Sequence, residues 1–272
     1  MLKQIVNIAG YRFIELNDRK DLRAKLKNKC VKLNLKGSIL LSKEGINFFL
    51  AGEKDSIEEF INFIEKDDRF KNIELKISYS NSQPFTRMLV RLKNEIITVR
   101  KGEIKPEKFT GPKISPTELK KWYDEKRNFI VLDTRNDYEV RLGSFENSTI
   151  LPISNFSEFP DAITTLPEEM KDVPIVMYCT GGIRCEKASP IMINAGFKDV
   201  YQLGGGVLRY FEKCGGEYWN GDCFVFDKRV ALDSNLEEAG ITQCFKCREP
   251  LTLEEQKSKD YVPGEFCPYC KK

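Results

Sequence analysis

The chain has 272 residues, 41% hydrophobic and 31% charged, with a formal net charge of +3. That length suggests two domains with room for a small appendage, and the hydrophobic content is ordinary for a soluble protein. No apolar run approaches the length of a membrane span, and Met1-Leu2-Lys3-Gln4-Ile5-Val6-Asn7 lacks the long apolar core of a secretory leader, so no membrane association and a cytoplasmic location are expected.

The net charge hides an asymmetry. Residues 1–110 carry 23 Lys/Arg against 15 Asp/Glu, whereas 111–272 carry 21 against 26. A basic module joined to an acidic one fits a polyanionic partner such as RNA, although lysines spread over solvated faces give the same count. There are nine cysteines and no histidine. Five cysteines are scattered and four form two C-x-x-C pairs, a pattern that suits a reducing compartment better than a disulfide framework.

In chain order, Ile5 to Ile14 alternates weakly, as a strand would. Asp18 is placed to cap a helix running to about Cys30, with Leu22, Leu26 and Val31 near helical spacing. Gly37 to Ser42 and Ile46 to Ala51 read as a hairpin turning at Lys43-Glu44-Gly45. A helix from Lys54 to about Asp67 buries Ile57, Phe60, Ile61 and Ile64, and Ile73 to Ser78 is a strand. The order β-α-β-β-α-β predicts a ferredoxin-like α+β domain over residues 1–100. Met88 to Lys93 and Glu95 to Val99 read as a further hairpin. Residues 101–116, rich in Gly and Pro, read as the linker. Phe85-Thr86-Arg87-Met88 with Arg91, Lys93, Arg100, Lys101 and Lys105 is the densest cationic run and the candidate nucleic-acid surface; a plain solvated edge is the competing reading.

From Ser115 strands alternate with helices, predicting a parallel-sheet α/β domain over 117–222 covered on both faces. The predicted elements are a helix from Thr117 to Arg127, a strand Phe129 to Leu132 ending in Asp133-Thr134-Arg135, and a helix around Phe159 to Leu166. A buried strand at Pro174 to Tyr178, a helix from about Cys185 to Asn194, a strand at Tyr201 to Leu203 and a helix from Val207 to Cys214 follow. Pro190 lies inside a predicted helix, where a proline typically costs roughly 3 kcal/mol.

Cys179 sits where the buried strand hands over to the helix. Amides of Thr180, Gly181, Gly182 and Ile183 are unsatisfied donors there, and Arg184 adds a full positive charge. Such a setting lowers a thiol's pKa and favours the nucleophilic thiolate, so an accessible, reactive Cys179 is expected; a merely buried small side chain is the alternative. Cys179 and Arg184 enclose four residues. That six-residue ring resembles the active loop of rhodanese-type sulfurtransferases, which carries a persulfide. Cys185 could resolve an oxidised Cys179 or simply fill the core.

The pairs Cys244/Cys247 and Cys267/Cys270 are separated by 19 residues. This spacing predicts a four-thiolate structural zinc site in a Cys-rich segment, 223–272, with a redox relay as the rival.

The run Asp133-Thr134-Arg135 through Glu139 and Gly143, the Cys179 loop and the Gly204-Gly205-Gly206 turn are similar to the rhodanese pattern. Together with Ser42-Lys43-Glu44-Gly45-Ile46-Asn47 and Trp219-Asn220-Gly221-Asp222-Cys223 through Val230, they resemble the bacterial rhodanese-domain tRNA uridine 5-hydroxylases of the TrhO type, over nearly the whole chain. The resemblance implies oxygen-dependent 5-hydroxylation of wobble uridine 34 in tRNA. Cys179 would then be catalytic, Thr180 to Arg184 the anion-binding loop, and Asp133 and Arg135 structural supports. Ser144 departs from the family, standing where many rhodanese domains have histidine. No flavin or nucleotide motif is seen, molecular oxygen would be co-substrate, and oligomeric state is not readable. The alternative function is a thiosulfate or persulfide sulfurtransferase or persulfide carrier. Tyr178 or Phe156 could stack a base near the pocket, with a place in the core as the alternative for either.

Overall fold

In the computed structural model, which describes residues 4–100 and 104–271, the first domain follows the predicted order. It comprises β1 (Ile5–Phe13), α1 (Arg19–Lys32), β2 (Lys36–Ser42), β3 (Gly45–Gly52), α2 (Lys54–Ile64), β4 (Lys76–Ser80) and β5 (Met88–Leu92). The sheet order is β4-β1-β3-β2-β5, antiparallel except that β5 runs parallel to β2. Period-two alternation sorts its two faces. Val6, Ile8, Ile39, Phe48 and Leu50 pack on Leu22, Leu26, Ile57 and Phe60 of the helices. Asn7, Ala9, Tyr11, Asn47 and Phe49, one residue out of phase, form the helix-free face.

Three local expectations fail here. Asp18 makes no side-chain cap; its carboxylate is taken by Arg69, at 2.6 and 2.8 Å. Residues 95–99 form no second strand, because side chains rather than a strand satisfy their amides. The Glu95 carboxylate accepts from the N–H of Val99 and Arg100, and Ile96 N–H donates to Glu44 at 2.7 Å. Val99 then packs in the core of the second domain, making 95–99 a strap rather than a hairpin arm. The stretch read as linker likewise carries structure: Thr110 and Gly111 bond Ser189, and β6 (Lys113–Ile114) opens the second sheet. Lys101 and Gly102 lie outside the described residues.

The second domain comprises α3 (Pro116–Asp124), β7 (Ile130–Asp133), α4 (Asp137–Val140), β8 (Gly143–Phe145), β9 (Thr149–Ile150), α5 (Phe159–Ala162), β10 (Ile175–Tyr178), α6 (Ile183–Asn194), β11 (Val200–Leu203) and α7 (Gly206–Cys214). Its sheet, β6-β11-β10-β7-β9, is parallel throughout. Every residue of the central β10 is buried. Leu119, Val207 and Phe211 cover one face with Val131 and Val176; Phe159, Ala188 and Met192 cover the other with Leu132 and Met177. The helix expected at 159–166 is broken into α5 and a 3-10 turn, Ile163–Thr165. Pro190 is accommodated because the Glu186 carbonyl, deprived of its helical donor, accepts from Thr110 Oγ1 at 3.0 Å.

Beyond residue 214, β12 (Trp219–Gly221) pairs with β8, β13 (Cys223–Phe224) with β14 (Ala231–Leu232), and β15 (Thr242–Gln243) with β16 (Pro250–Leu251). The β13–β14 hairpin is no loose tail. It braces the first domain through Lys228 N–H on the Pro84 carbonyl and Arg229 on Ser78, with Phe226 against Phe49.

Candidate active site

Cys179 directly follows the last residue of β10, and Thr180-Gly181-Gly182 delivers the chain to α6. Gly182 has φ +93°, and its N–H donates to Cys179 Sγ at 3.1 Å. The loop is clamped from below by the second glycine turn: Val207 N–H donates to the Cys179 carbonyl at 3.0 Å and Leu208 N–H to that of Thr180 at 3.1 Å. Gly206, at φ +66°, must be glycine, since a Cβ there would stand 2.4 Å from the Cys179 carbonyl oxygen.

Burial alone would push the Cys179 thiol up. It is outweighed by a hydrogen bond from Cys185, the Arg184 charge and the N–H groups of Arg184 and Gly182, and the pKa falls below the ordinary thiol value. Cys185 moves the opposite way, raised by burial and by its neighbour's thiolate. Cys179 has no exposed surface, so the expected accessibility is not found: the thiol is buried at the edge of a cleft that it helps to line.

Arg184 is placed differently from the expected anion cradle. Its two terminal nitrogens grip Glu139 at 2.7 and 2.6 Å, both side chains being buried. It thus serves Cys179 by backbone N–H and by charge rather than by a free guanidinium. Asp133 and Arg135 form a fully buried ion pair at 2.6 Å. Arg135 also donates to the Gly143 carbonyl and lies over Trp219, tying the sheet to its loops. Tyr178 donates to Asp133 at 2.6 Å and has no exposed surface, so it belongs to the core and cannot stack a base. Phe156 does line the cleft.

The cleft, about 500 Å³, lies between the rhodanese-like loop and the helix-free face of the first sheet. Thr180, Gly181, Ile183 and Arg184 line one side; Tyr11, Asn47, Phe49 and Lys76 line the other, with Phe226 and Arg100 at its borders. The three separate sequence motifs meet here. Glu44 pairs Lys187 of α6 at 2.8 Å, Asn47 lines the cleft, and Phe226 stands 5.9 Å from Arg184. Lys187 also holds Glu95 at 2.7 Å, so one buried ammonium latches the strap and the first domain onto α6. Nothing in the sequence alone singles out Glu139, Tyr11 or Lys76 as site residues. The motif match through Glu139 is the one signal that could have found the first.

At the other end of the chain, Cys244, Cys247, Cys267 and Cys270 bring their sulfurs within 4.8 Å of one another. Separations of 3.5–3.8 Å between sulfurs match the ~3.8 Å edge of a tetrahedron with zinc–sulfur bonds of ~2.3 Å. The cluster could hold a metal ion.

Residues 5–96 match the family model described as UPF0176 acylphosphatase like domain, and residues 115–213 the Rhodanese-like domain. Over 272 aligned residues the chain is 50% identical to a tRNA uridine(34) hydroxylase of Cupriavidus pinatubonensis, covering 98% of this chain and 96% of that protein. Proteins of the same name from Ralstonia nicotianae and Paraburkholderia xenovorans are 47% and 46% identical, each over 98% of this chain and 96% of the relative.

Proposed function

Because the chain belongs to the tRNA uridine(34) hydroxylase family, we propose that it places a hydroxyl from molecular oxygen on C5 of wobble uridine in tRNA, with Cys179 as the catalytic residue. The carrying observation is the Cys179 sulfur receiving the Gly182 N–H at 3.1 Å, in a setting that lowers its pKa, at the edge of a cleft of small-ligand size. An anticodon-loop base can leave its stack to enter such a cleft, since single-stranded loops are read by splaying bases onto side chains. Phe49, Phe226 and Phe156 offer apolar walls for the ring. The exposed side chains of Arg87, Arg91, Lys93 and Arg100 have no ion pair among the described residues. Arg91 stands opposite Leu40, whose side chain lines the cleft, and Arg100 lines it directly. These cations suit the phosphates flanking the inserted nucleotide.

The four C-terminal cysteines would hold zinc in a structural role, fixing a segment whose small apolar cluster is Cys244, Leu251 and Cys267 with Tyr261 and Cys270 packed against them. Work on tRNA goes with a cytoplasmic place, and among the described residues no helix is long and apolar enough to cross a membrane.

The test is nucleoside mass spectrometry of tRNA from cells lacking the gene, complemented with wild type or Cys179→Ser and grown with and without oxygen. Loss of 5-hydroxyuridine derivatives in the deletion and in Cys179→Ser, restored by wild type in air, is expected. Undiminished product in Cys179→Ser would remove the catalytic assignment. One observation favours a second reading: the Gly182 N–H directed at Sγ would equally stabilise a persulfide. Robust sulfur transfer to cyanide, with tRNA unchanged, would select it.

A further inference from the structure

The wall opposite Cys179 holds a lysine that the fold does not explain. Lys76 projects from β4 on the helix-free face, beside Ala9 of β1 in the sheet register. Its side chain is 5% exposed, yet among the described residues Nζ has no hydrogen bond. Its nearest carboxylate, on Glu74, stands 3.8 Å away, and the Tyr11 ring centroid 4.8 Å. Nζ itself is not fully enclosed, so its unmet donors keep contact with solvent, and a ring face and one loose carboxylate recover only part of the cost of burying the rest of the side chain. A purely structural position would be better filled by an apolar residue of the same length.

The surroundings say what the amine faces. Tyr11 reaches across to the catalytic loop: its hydroxyl donates to Glu186 at 3.0 Å and lies 3.1 Å from where a Cβ on Gly182 would be. Lys76 sits on the face of that same ring and lines both the cleft of Cys179 and the adjoining one that holds Glu74, Lys113 and Glu186. Burial lowers the pKa of Lys76 and the Arg209 and Lys113 charges add to this, while the Glu74 and Cys179 charges oppose it. Cleft, thiolate and under-satisfied cation therefore form one constellation contributed by two domains.

We propose that Lys76 is a second catalytic residue of this cleft, binding O4 of the inserted uracil and neutralising the charge that reaches this oxygen when Cys179 adds to C6. This rests on the proposed function and deepens it. In the step, the thiolate pair forms the S–C6 bond, the C5=C6 π pair shifts to C4–C5, and the carbonyl π pair moves onto O4. An enolate oxygen results, hydrogen-bonded to the Lys76 ammonium, with no net oxidation. C5 becomes electron-rich, which is what reaction with molecular oxygen at that carbon requires. Protonation at C5 by water, followed by loss of a C5 proton and expulsion of the thiolate, returns uracil with its C5 hydrogen exchanged.

That reversibility gives a readout separate from hydroxylation. Under anaerobic conditions in deuterated water, the wild-type protein is expected to exchange the C5 hydrogen of uridine 34 in tRNA, and Cys179→Ser to abolish exchange. Lys76→Met is expected to slow it about a hundredfold, the size of losing one donor to a developing oxyanion. Lys76→Arg should recover part of the rate. Thermal unfolding and tRNA affinity of Lys76→Met should stay close to wild type, separating this role from a structural one. Exchange by Lys76→Met at the wild-type rate overturns the proposal. So does a wild type that hydroxylates tRNA in air but never exchanges C5, which leaves the hydroxylase reading standing. A wild type that does neither, despite binding tRNA, takes down both.

Discussion

Replacing Glu139 with glutamine keeps the side chain's shape and removes its charge, leaving the Arg184 guanidinium buried without an anion. The two contacts are short, 2.7 and 2.6 Å, and the side chains are 5% and 0% exposed, so water cannot take the carboxylate's place. Breaking a pair so enclosed costs about 3–5 kcal/mol, against at most about 1 kcal/mol for a solvated pair. For a chain of this size the expected fall in Tm is about 10 °C. Urea and thermal unfolding of wild type and Glu139→Gln, at equal metal content, measure it. A loss below about 1 kcal/mol would refute the claim that Glu139 is what keeps Arg184 in place. The thiol gives a second readout. With the carboxylate gone, the Arg184 charge acts on Cys179 unopposed, so Cys179 should ionise at lower pH, seen as thiolate absorbance by difference from Cys179→Ser. A shift to higher pH would mean Arg184 has left the loop.

Because the folded Cys179 pKa lies below the ordinary value of 9.0, the thiolate contributes stability that is complete above that unfolded value and is lost as pH falls through the folded one. The stability of wild type relative to Cys179→Ser should therefore rise with pH up to about 9 and then level; a flat or falling difference would contradict the lowered pKa. Reduced protein should carry one zinc ion per chain by elemental analysis, and Cys247→Ser or a chelator should release it and loosen the segment after residue 240 to proteolysis. Metal-free protein with an equally protected segment would remove the structural role. Affinity for tRNA should fall steeply with salt, and neutralising Arg91 or Arg100 should lower the log–log slope by about one each; an unchanged slope would place the phosphate contacts elsewhere.

Much of the fold was legible because it rests on local periodicity. The alternation in β1 to β4, the apolar faces of α2 and α7, and the uniformly buried run of β10 identify both sheets without any long-range information. Cys179 was legible for the same reason, since a strand-to-helix junction with two glycines is a local arrangement. Residues 95–99 were misread because their apolar content suggests a strand while their amides are satisfied by Glu44 and Glu95, side chains that only the tertiary fold brings into reach. Lys76 was invisible on different grounds. A lysine in an alternating strand reads as the solvated face, and what makes that face interior is the rhodanese-like loop more than a hundred residues later in the chain.

The division of labour between the domains explains why the thiolate alone would not specify the reaction. A rhodanese-like loop supplies nucleophile and amide donors from a single strand–helix junction, and nothing in that junction recognises a pyrimidine. On the proposed reading recognition comes from the opposite wall, where the helix-free sheet face presents Tyr11, Asn47, Phe49 and Lys76 at fixed register. The contacts that place that wall include Lys187 with Glu44 and Glu95, Tyr11 with Glu186, and the Phe226 hairpin against Phe49. Each joins a residue of the loop, of its helix or of the closing hairpin to the first domain. Displacing the sheet by an ångström would therefore leave Cys179 as nucleophilic as before while moving the group that must meet the base. Under the proposed function, chemistry on uridine rather than generic thiolate reactivity is thus a property of the interface between the domains.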